Sequence, residues 1–281
     1  MKSAFLHGDL KELVFIDQPP GYVKSGNEHK VYRLKKALNG LKQAPQAWYT
    51  CIETYFLKEG FQKCPYEHTL FIKFEDGGKM PIVCLYVHDL IYIGSNIAML
   101  ESFKKSMMAE FEMSDLSMMH YFLSIEVLQS STGIRISQKK YVGEILYRFQ
   151  MKDCNLVNTP SEFGLKLNKD DGGKMVNSTL YKQIVRSLMQ LIATRLDTMY
   201  AVSVISRYME CPIEIHLLAT KRIIRYLQGT KEFGLFFKKG EKLDLFGFID
   251  SDYAGDSDYR KSTSGYVFML GTGTVSWSLK K

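Results

Sequence analysis

The stretch LYVHDLI (residues 85–91) decides the fold of the first part of the chain. It lies where two apolar runs, 82–87 and 90–93, are separated by the polar pair His88-Asp89. Two strand-length apolar runs joined by two polar residues predict a tight β-hairpin with that pair at its tip. An aspartate at such a tip is either an ordinary turn residue or a cation ligand, because a buried, unpaired carboxylate is costly. Magnesium is the cation that carboxylate oxygens suit.

Helical and strand patterns follow one another in mixed order around this hairpin, which predicts an α+β fold. Residues 75–78 have turn composition, and 152–177 has the composition of a linker. Apolar residues recur at helical spacing in 43–58, 98–111, 139–149, 178–193, 197–209 and 213–228. Strand-like runs occupy 69–74, 82–87, 90–93, 121–128 and 133–137, with four more between Leu235 and Trp277.

The composition is that of a folded globular protein. Of 281 residues, 46% are hydrophobic and 24% are charged, and the net charge of +7 permits a polyanionic partner without requiring one. No run approaches the length of a membrane span and no signal peptide is recognisable, so we expect an intracellular protein without membrane contact. The five cysteines lack paired spacing, which argues against a zinc site.

Several segments match, in order, the motifs of one protein family. Through them nearly the whole chain resembles the reverse transcriptase and ribonuclease H portion of the Pol polyprotein of copia-type LTR retrotransposons. The matching segments are KSAFLHGDLKE (2–12), QPPGYV (18–23), LKKALNGLKQAPQAWY (34–49), YVHD (86–89), YFLSIEV (121–127), GIRISQKKYV (133–142), DTMYAVSVISRYM (197–209), KRIIRYLQGT (221–230) and DSDYAGDSDYRKSTSGYVFMLG (250–271).

The resemblance implies an RNA-directed DNA polymerase joined to a ribonuclease H, with an RNA or DNA template–primer and dNTPs as partners. It implies a polymerase palm with a thumb-like helix at 1–150 and a linker with a helical connection at 151–240. The incomplete start of a ribonuclease H-like fold would occupy 241–281. Both activities use two Mg²⁺ ions roughly 3.5–4 Å apart, and several carboxylates must offset the repulsion between them.

The polymerase hairpin of the family carries the motif Tyr-Val-Asp-Asp. Here His88 stands in place of the first aspartate, which leaves Asp89 alone. A further family aspartate, on a strand that would begin at residues 1–5, would precede Met1 and is therefore expected to be missing. Imidazole is a poor magnesium ligand and repels the ion when protonated. We expect that the chain cannot polymerise DNA and that Asp89 is a remnant of the metal site.

Two more positions match nucleotide-contacting residues of the family. Phe5 matches the bulky residue that lies under the sugar and excludes a 2′-hydroxyl, and Gln43 matches a glutamine that contacts the incoming nucleotide. From the residues alone, the favoured interpretation of Phe5 is a core side chain. That of Gln43 is a polar residue at a helix start.

A second candidate metal site lies near the end of the chain. Asp250 matches the first acid of the family's ribonuclease H, and Asp252 is a near neighbour that could share its role. The family's later acids would lie beyond Lys281, so we expect this site to be incomplete as well. An ordinary loop aspartate is the alternative for both residues.

The helix predicted at 213–228 carries Lys221, Arg222 and Arg225, which could contact the phosphates of a template–primer duplex. A solvated helix face is the alternative. Two further hypotheses about function remain beside a defective polymerase. The chain could be a nucleic-acid-binding module without catalysis, or a transposon relic without function.

Overall fold

A computed structural model describes residues 4–74, 80–169, 172–240 and 242–280. The chain divides into two compact units, the amino-terminal unit (Met1–Ser117) and the carboxy-terminal unit (Met118–Lys281). Both combine helices with antiparallel sheets, so the α+β prediction is confirmed. The module boundaries near 150 and 240 stay predictions, and the turn predicted at 75–78 lies outside the described residues. No helix in the described ranges is long and apolar enough to cross a membrane.

The amino-terminal unit packs helices against an antiparallel sheet. In chain order it contains a 3-10 turn (Ala4–His7), β1 (Phe15–Ile16), β2 (Tyr32–Arg33), α1 (Ala44–Lys58), β3 (Gln62–Lys63), β4 (Leu70–Ile72), β5 (Ile82–Tyr86), β6 (Asp89–Ile93) and α2 (Ile97–Glu110). The sheet has the order β3-β4-β5-β6, and β1 pairs separately with β2.

One face of α1 forms the centre of this unit's core. Trp48, Ile52 and Phe56 follow one another at four-residue spacing, so they lie on the same face of the helix, and all three are buried. The ring centroid of Phe56 lies 4.8 Å from that of Phe71 on β4. Val83, opposite Phe71 on β5, is buried in the same cluster. The helical period predicted for 43–58 therefore corresponds to real burial.

Two predicted details of this unit were wrong. The first strand was expected to run through Phe5, but Ala4–His7 form a 3-10 turn that the Gly8 amide closes by donating to Phe5 O at 3.1 Å. Gly8, at the end of this turn, lies so close to α1 that an added Cβ would be 2.7 Å from Ala47 C, so a larger residue would not fit there without a shift. The hairpin tip is also displaced by one residue, because Asp89 already pairs with Tyr86 inside the sheet.

The carboxy-terminal unit begins with a meander of short strands and continues with helices. In chain order it contains β7 (Tyr121–Phe122), β8 (Ile125–Gln129), β9 (Gly133–Ser137), α3 (Lys139–Arg148), α4 (Ser178–Leu191), a 3-10 turn (Leu196–Thr198), α5 (Met199–Ser206), α6 (Glu214–Gly229), β10 (Gly234–Lys238), β11 (Leu245–Ser251), β12 (Ser264–Leu270) and β13 (Gly273–Lys280). One sheet has the order β10-β9-β8-β7, and another has the order β11-β12-β13.

The core of this unit lies between its four helices α3 to α6. Asn177 caps the start of helix α4, because its side chain accepts a hydrogen bond from the Leu180 amide at 3.0 Å. Burial raises the pKa of the Tyr181 hydroxyl to about 12, and this hydroxyl donates to Ile205 O at 2.8 Å. The buried side chains of the cluster are Tyr141, Val142, Ile145, Leu146, Leu167, Tyr181, Ile184, Val185, Leu188, Leu191, Ala201, Val202, Ile205, Tyr208, Ile223, Ile224 and Leu227.

The described part of the predicted linker is held against this core. Its Leu167 is buried, and Tyr208 donates to Leu167 O at 2.8 Å. His216, buried at the start of α6, accepts from the Ile213 amide through Nδ1 at 3.2 Å. Its Nε2 therefore carries the proton and donates to Asn168 O, 2.9 Å away. In its described residues the segment forms no helix or strand, but these contacts and an isolated bridge from Met175 to Ile213 attach it to the unit.

Candidate active site

The hairpin of β5 and β6 turns through two residues, Val87 and His88. Tyr86 and Asp89 lie opposite each other, which leaves Val87-His88 as a two-residue loop. Val87 has φ +53°, whereas His88 is not in the left-handed region. Positive φ at the first loop residue alone is the φ pattern of a type II′ turn, which prefers glycine there. A β-branched residue in that position is conformationally disfavoured.

Trp48 connects this turn to α1. Its indole Nε1–H donates to Val87 O at 2.8 Å. The indole is only 1% exposed, and its ring packs edge-on against Phe111 with the centroids 5.4 Å apart. The His7 ring lies 6.2 Å from it. The turn is therefore hydrogen-bonded to a fully buried residue of the amino-terminal core.

Asp89 is half-buried and His88 is exposed. Both line a cavity of about 150 Å³ between the hairpin, α2 and residues 113–117. The other carboxylate in this cavity, Asp115, lies 2.6 Å from Lys104 Nζ. The hydrogen bond from Lys104, together with one from the Ser117 amide, holds the pKa of Asp115 below its usual range. Asp115 is thus already neutralised by a cation of the protein.

These residues do not fit a centre for two divalent metal ions. Asp89 contributes one carboxylate, and the neighbouring acid belongs to an ion pair. Across residues 4–74, 80–169, 172–240 and 242–280 there is no cluster of three or more histidine, cysteine or acidic side chains that could hold a metal. Two dications a few ångströms apart need more negative charge than one carboxylate supplies.

Phe5, a predicted nucleotide contact, lies in the first 3-10 turn, and Gln43, the other, lies just before α1. Phe5 is half-buried in the turn Ala4–His7 and packs against the amino-terminal core. Gln43 is the residue before α1, and its side chain forms no capping hydrogen bond with the helix. The structure leaves their predicted roles untested.

Asp250 and Asp252 belong to the carboxy-terminal unit. Asp250 is exposed on β11, and its Oδ1 accepts from the Ser251 amide at 2.9 Å. Asp252 Oδ1 accepts from the amides of Thr263 at 2.8 Å and Gly255 at 3.3 Å. The Thr263 hydrogen bond, with the weaker one from Gly255, holds the pKa of Asp252 below its usual range. Asp252 therefore organises the loop between β11 and β12.

Two of the three predicted phosphate contacts on α6 have partners inside the unit. Arg222 Nη2 donates to Thr159 Oγ1 at 3.0 Å, and Arg225 Nε donates to Asn155 O at 2.8 Å. Both guanidinium groups hold the segment that follows α3 against α6. Lys221 is exposed on the same helix. The sequence alone could not show this, because both partners are more than 60 positions away.

Sequence reasoning missed Trp48 and the Lys104–Asp115 pair as parts of the site. Helical spacing places Trp48 on the buried face of α1, but nothing in that pattern says where its N–H points. The pairing of Lys104 with Asp115 joins α2 to the residues after it, and neither position belongs to a periodic pattern. Both omissions concern contacts between separate elements.

Comparison with known proteins gives a consistent result. Residues 1–163 match the family described as reverse transcriptase (RNA-dependent DNA polymerase). All of the chain aligns with the Retrovirus-related Pol polyprotein from transposon RE1 of Arabidopsis thaliana at 40% identity, covering 19% of that protein. It aligns equally fully with the polyprotein from transposon RE2 of the same plant at 39%, covering 19%.

The corresponding polyprotein from transposon TNT 1-94 of Nicotiana tabacum is 36% identical over the whole chain, which covers 22% of it. The chain thus spans about a fifth of the length of these relatives. No solved structure matches it significantly. The chain belongs to the reverse transcriptase (RNA-dependent DNA polymerase) family, in the form found in copia-type retrotransposon Pol polyproteins.

Proposed function

We propose that this chain is the reverse transcriptase segment of a copia-type Pol polyprotein and that, as it stands, it does not polymerise DNA. The family copies a nucleic acid template with dNTPs and generally uses a divalent metal ion. The amino-terminal unit and the strands and helix up to about residue 150 correspond to the palm and thumb-like region. The sheet β11-β12-β13 corresponds to the start of a ribonuclease H-like fold.

The proposal that the chain does not polymerise DNA rests on the residue beside Asp89 in the turn, which is His88. His88 supplies an imidazole where the family motif has a carboxylate, and no free acid takes over its role within the described lining of the adjacent cavity. Imidazole is a weak ligand for Mg²⁺, and protonation would add a positive charge next to the metal. One carboxylate is too little charge to hold two dications.

Several features nevertheless support retained binding. Trp48 holds the turn, and Phe5 and Gln43 match, in sequence, the residues with which the family contacts nucleotide. The net charge of +7 and the exposed Lys221 favour contact with phosphates. We therefore include template–primer binding in the proposal, with Mg²⁺ held weakly at Asp89 and, in the second unit, at Asp250.

Primer extension tests both parts in one sample. The purified chain is incubated with a labelled primer–template, dNTPs and Mg²⁺, and binding of the same duplex is followed by fluorescence anisotropy. We expect duplex binding at micromolar concentration without extension above the no-protein control. Template-directed extension would refute the catalytic part, and absence of binding would refute the retained interface.

The salt dependence of binding distinguishes a real interface from nonspecific adhesion. Contacts with phosphates should weaken binding by about 0.9 log units per contact for each tenfold rise in salt. Lys221→Glu should lower this slope by about one contact. A chain that neither binds nor melts cooperatively would instead fit the third hypothesis, a relic without function.

A further inference from the structure

The hairpin turn adopts a conformation that its own sequence disfavours. Val87 has φ +53°, and a β-branched residue rarely enters the left-handed region because its side chain meets the main chain. Such a conformation persists only where the surrounding structure imposes it. The question is which contact imposes it here.

Trp48 provides a contact suited to this purpose. Its indole N–H donates to Val87 O at 2.8 Å, and that oxygen belongs to the peptide that joins Val87 to His88. The indole cannot shift easily, because it is buried and packs edge-on against Phe111. The orientation of this peptide determines how His88 and Asp89 leave the turn, since Asp89 is the first residue of β6.

We propose that Trp48 is the positioning residue of the hairpin: its indole N–H fixes the Val87–His88 peptide in the left-handed turn and thereby places Asp89 at the start of β6. The inference rests on the proposed function only for the role of Asp89 as a metal ligand. It assigns to Trp48 a role beyond filling the core, and this role depends on the hydrogen bond donated by the indole N–H.

The test replaces the donor and keeps the ring. Trp48→Phe retains an aromatic side chain but has no N–H. Trp277→Phe is the matched control, because Trp277 Nε1–H likewise donates to a main-chain oxygen, that of Ile192, at 3.0 Å in the carboxy-terminal unit. Amide hydrogen exchange of the full chain is read by NMR at the residues that flank the turn.

We expect Trp48→Phe to lower exchange protection of the Asp89 amide about tenfold, and Trp277→Phe to change it less than about twofold. Adding Val87→Gly to Trp48→Phe should restore protection, because glycine enters the left-handed region without penalty. Unchanged protection in Trp48→Phe would overturn the proposal. So would a uniform loss across the amino-terminal unit that Val87→Gly fails to reverse, since that marks a core residue only.

A second readout separates this inference from the proposed function. Mn²⁺ broadens resonances near its binding site, so added Mn²⁺ should broaden the Asp89 amide if this residue holds a metal. If Trp48→Phe lowers protection of the Asp89 amide as expected but Mn²⁺ does not broaden this amide, Trp48 positions the turn and Asp89 is not a metal ligand. Broadening with unchanged exchange in Trp48→Phe upholds the ligand and rejects the positioning role.

Discussion

The two candidate acidic centres differ in what they lack. Asp89 lies on a hairpin whose turn is bonded to a buried tryptophan and whose strands cover a packed core, yet it is the one carboxylate there without an ion-pair partner among the residues lining the described cavity. Asp250 and Asp252 lie two positions apart on or beside β11, but every described residue of that strand is exposed. The first centre lies on a packed structure but has one free carboxylate. The second has two neighbouring carboxylates but lies on or beside an exposed strand.

This difference shows that a family motif and a working site are separate properties. A metal site needs several carboxylates and a rigid arrangement that holds them at fixed distances. Asp252 illustrates the point, because its carboxylate is already bonded to the Thr263 and Gly255 amides of its own loop. Its place beside Asp250 in the sequence does not reveal these hydrogen bonds.

The largest expected effect is a loss of stability, which compares a buried phenylalanine near the first centre with an exposed one beside the second. Phe56 is 0% exposed behind β4 and β5, whereas Phe248 on β11 is 59% exposed. Phe56→Ala should lower the free energy of unfolding of the amino-terminal unit by about 3–5 kcal/mol, because it opens a cavity in a packed core. Phe248→Ala should cost less than about 0.5 kcal/mol.

Urea denaturation followed by hydrogen exchange in each unit measures both variants. Similar losses of unfolding free energy for the two substitutions would contradict the contrast between the packed hairpin sheet and the exposed strand β11. They would show instead that β11 is covered in solution.

A smaller loss of stability is expected at Asp256, which connects the loop between β11 and β12 to Arg207 at the end of α5. Asp256 is buried, lies 3.4 Å from Arg207 Nη1 and accepts from the Tyr259 amide at 2.8 Å. Asp256→Ala should destabilise this loop by about 2 kcal/mol, because a partly buried guanidinium and an amide lose their acceptor. Exchange of the Tyr259 amide reports it. Asp258→Ala, at a half-buried neighbouring position, is the control, and an equal loss there would show that Asp256 has no special role.

The smallest effect is a pH dependence of the loop at Asp252. The hydrogen bond from the Thr263 amide lowers the pKa of this carboxyl below its ordinary value of 3.8. The ionised carboxylate therefore stabilises the folded loop fully above that ordinary value, and the contribution is lost as pH falls through the lowered pKa. Protection of the Thr263 amide should decline as the pH falls below 3.8 and through the lowered pKa.

Asp252→Asn keeps an oxygen acceptor but removes the charge, so the decline should flatten. A variant that still shows the full decline would assign the pH dependence to another group.

The local patterns of the sequence predicted much of this architecture. Helical spacing located Ala44–Lys58, and the two apolar runs located the hairpin, because burial on one face dictates both periods. The tip was placed one residue late because its position depends on the Tyr86–Asp89 pairing and on the bond from Trp48. The turn at Phe5 depends on the close approach of Gly8 to α1.

The candidate site likewise has features that local sequence reveals and features that depend on tertiary contacts. The residue types at 88 and 89 are visible in the sequence, and so is the shortage of carboxylates. The partners of Arg222 and Arg225 are not, because their hydrogen bonds join residues far apart in the chain. Which charges are free and which are used by the fold is therefore a property of tertiary structure.

Metal affinity at the hairpin tests the central claim most directly. Mn²⁺ binding is measured by electron paramagnetic resonance for the chain, for His88→Asp and for His68→Asp, which makes the same change at another exposed histidine of the amino-terminal unit. We predict that His88→Asp binds Mn²⁺ at least about tenfold more tightly than the other two, because it adds a carboxylate beside Asp89. Equal affinity in all three proteins would contradict the claim that His88 deprives the hairpin of its metal.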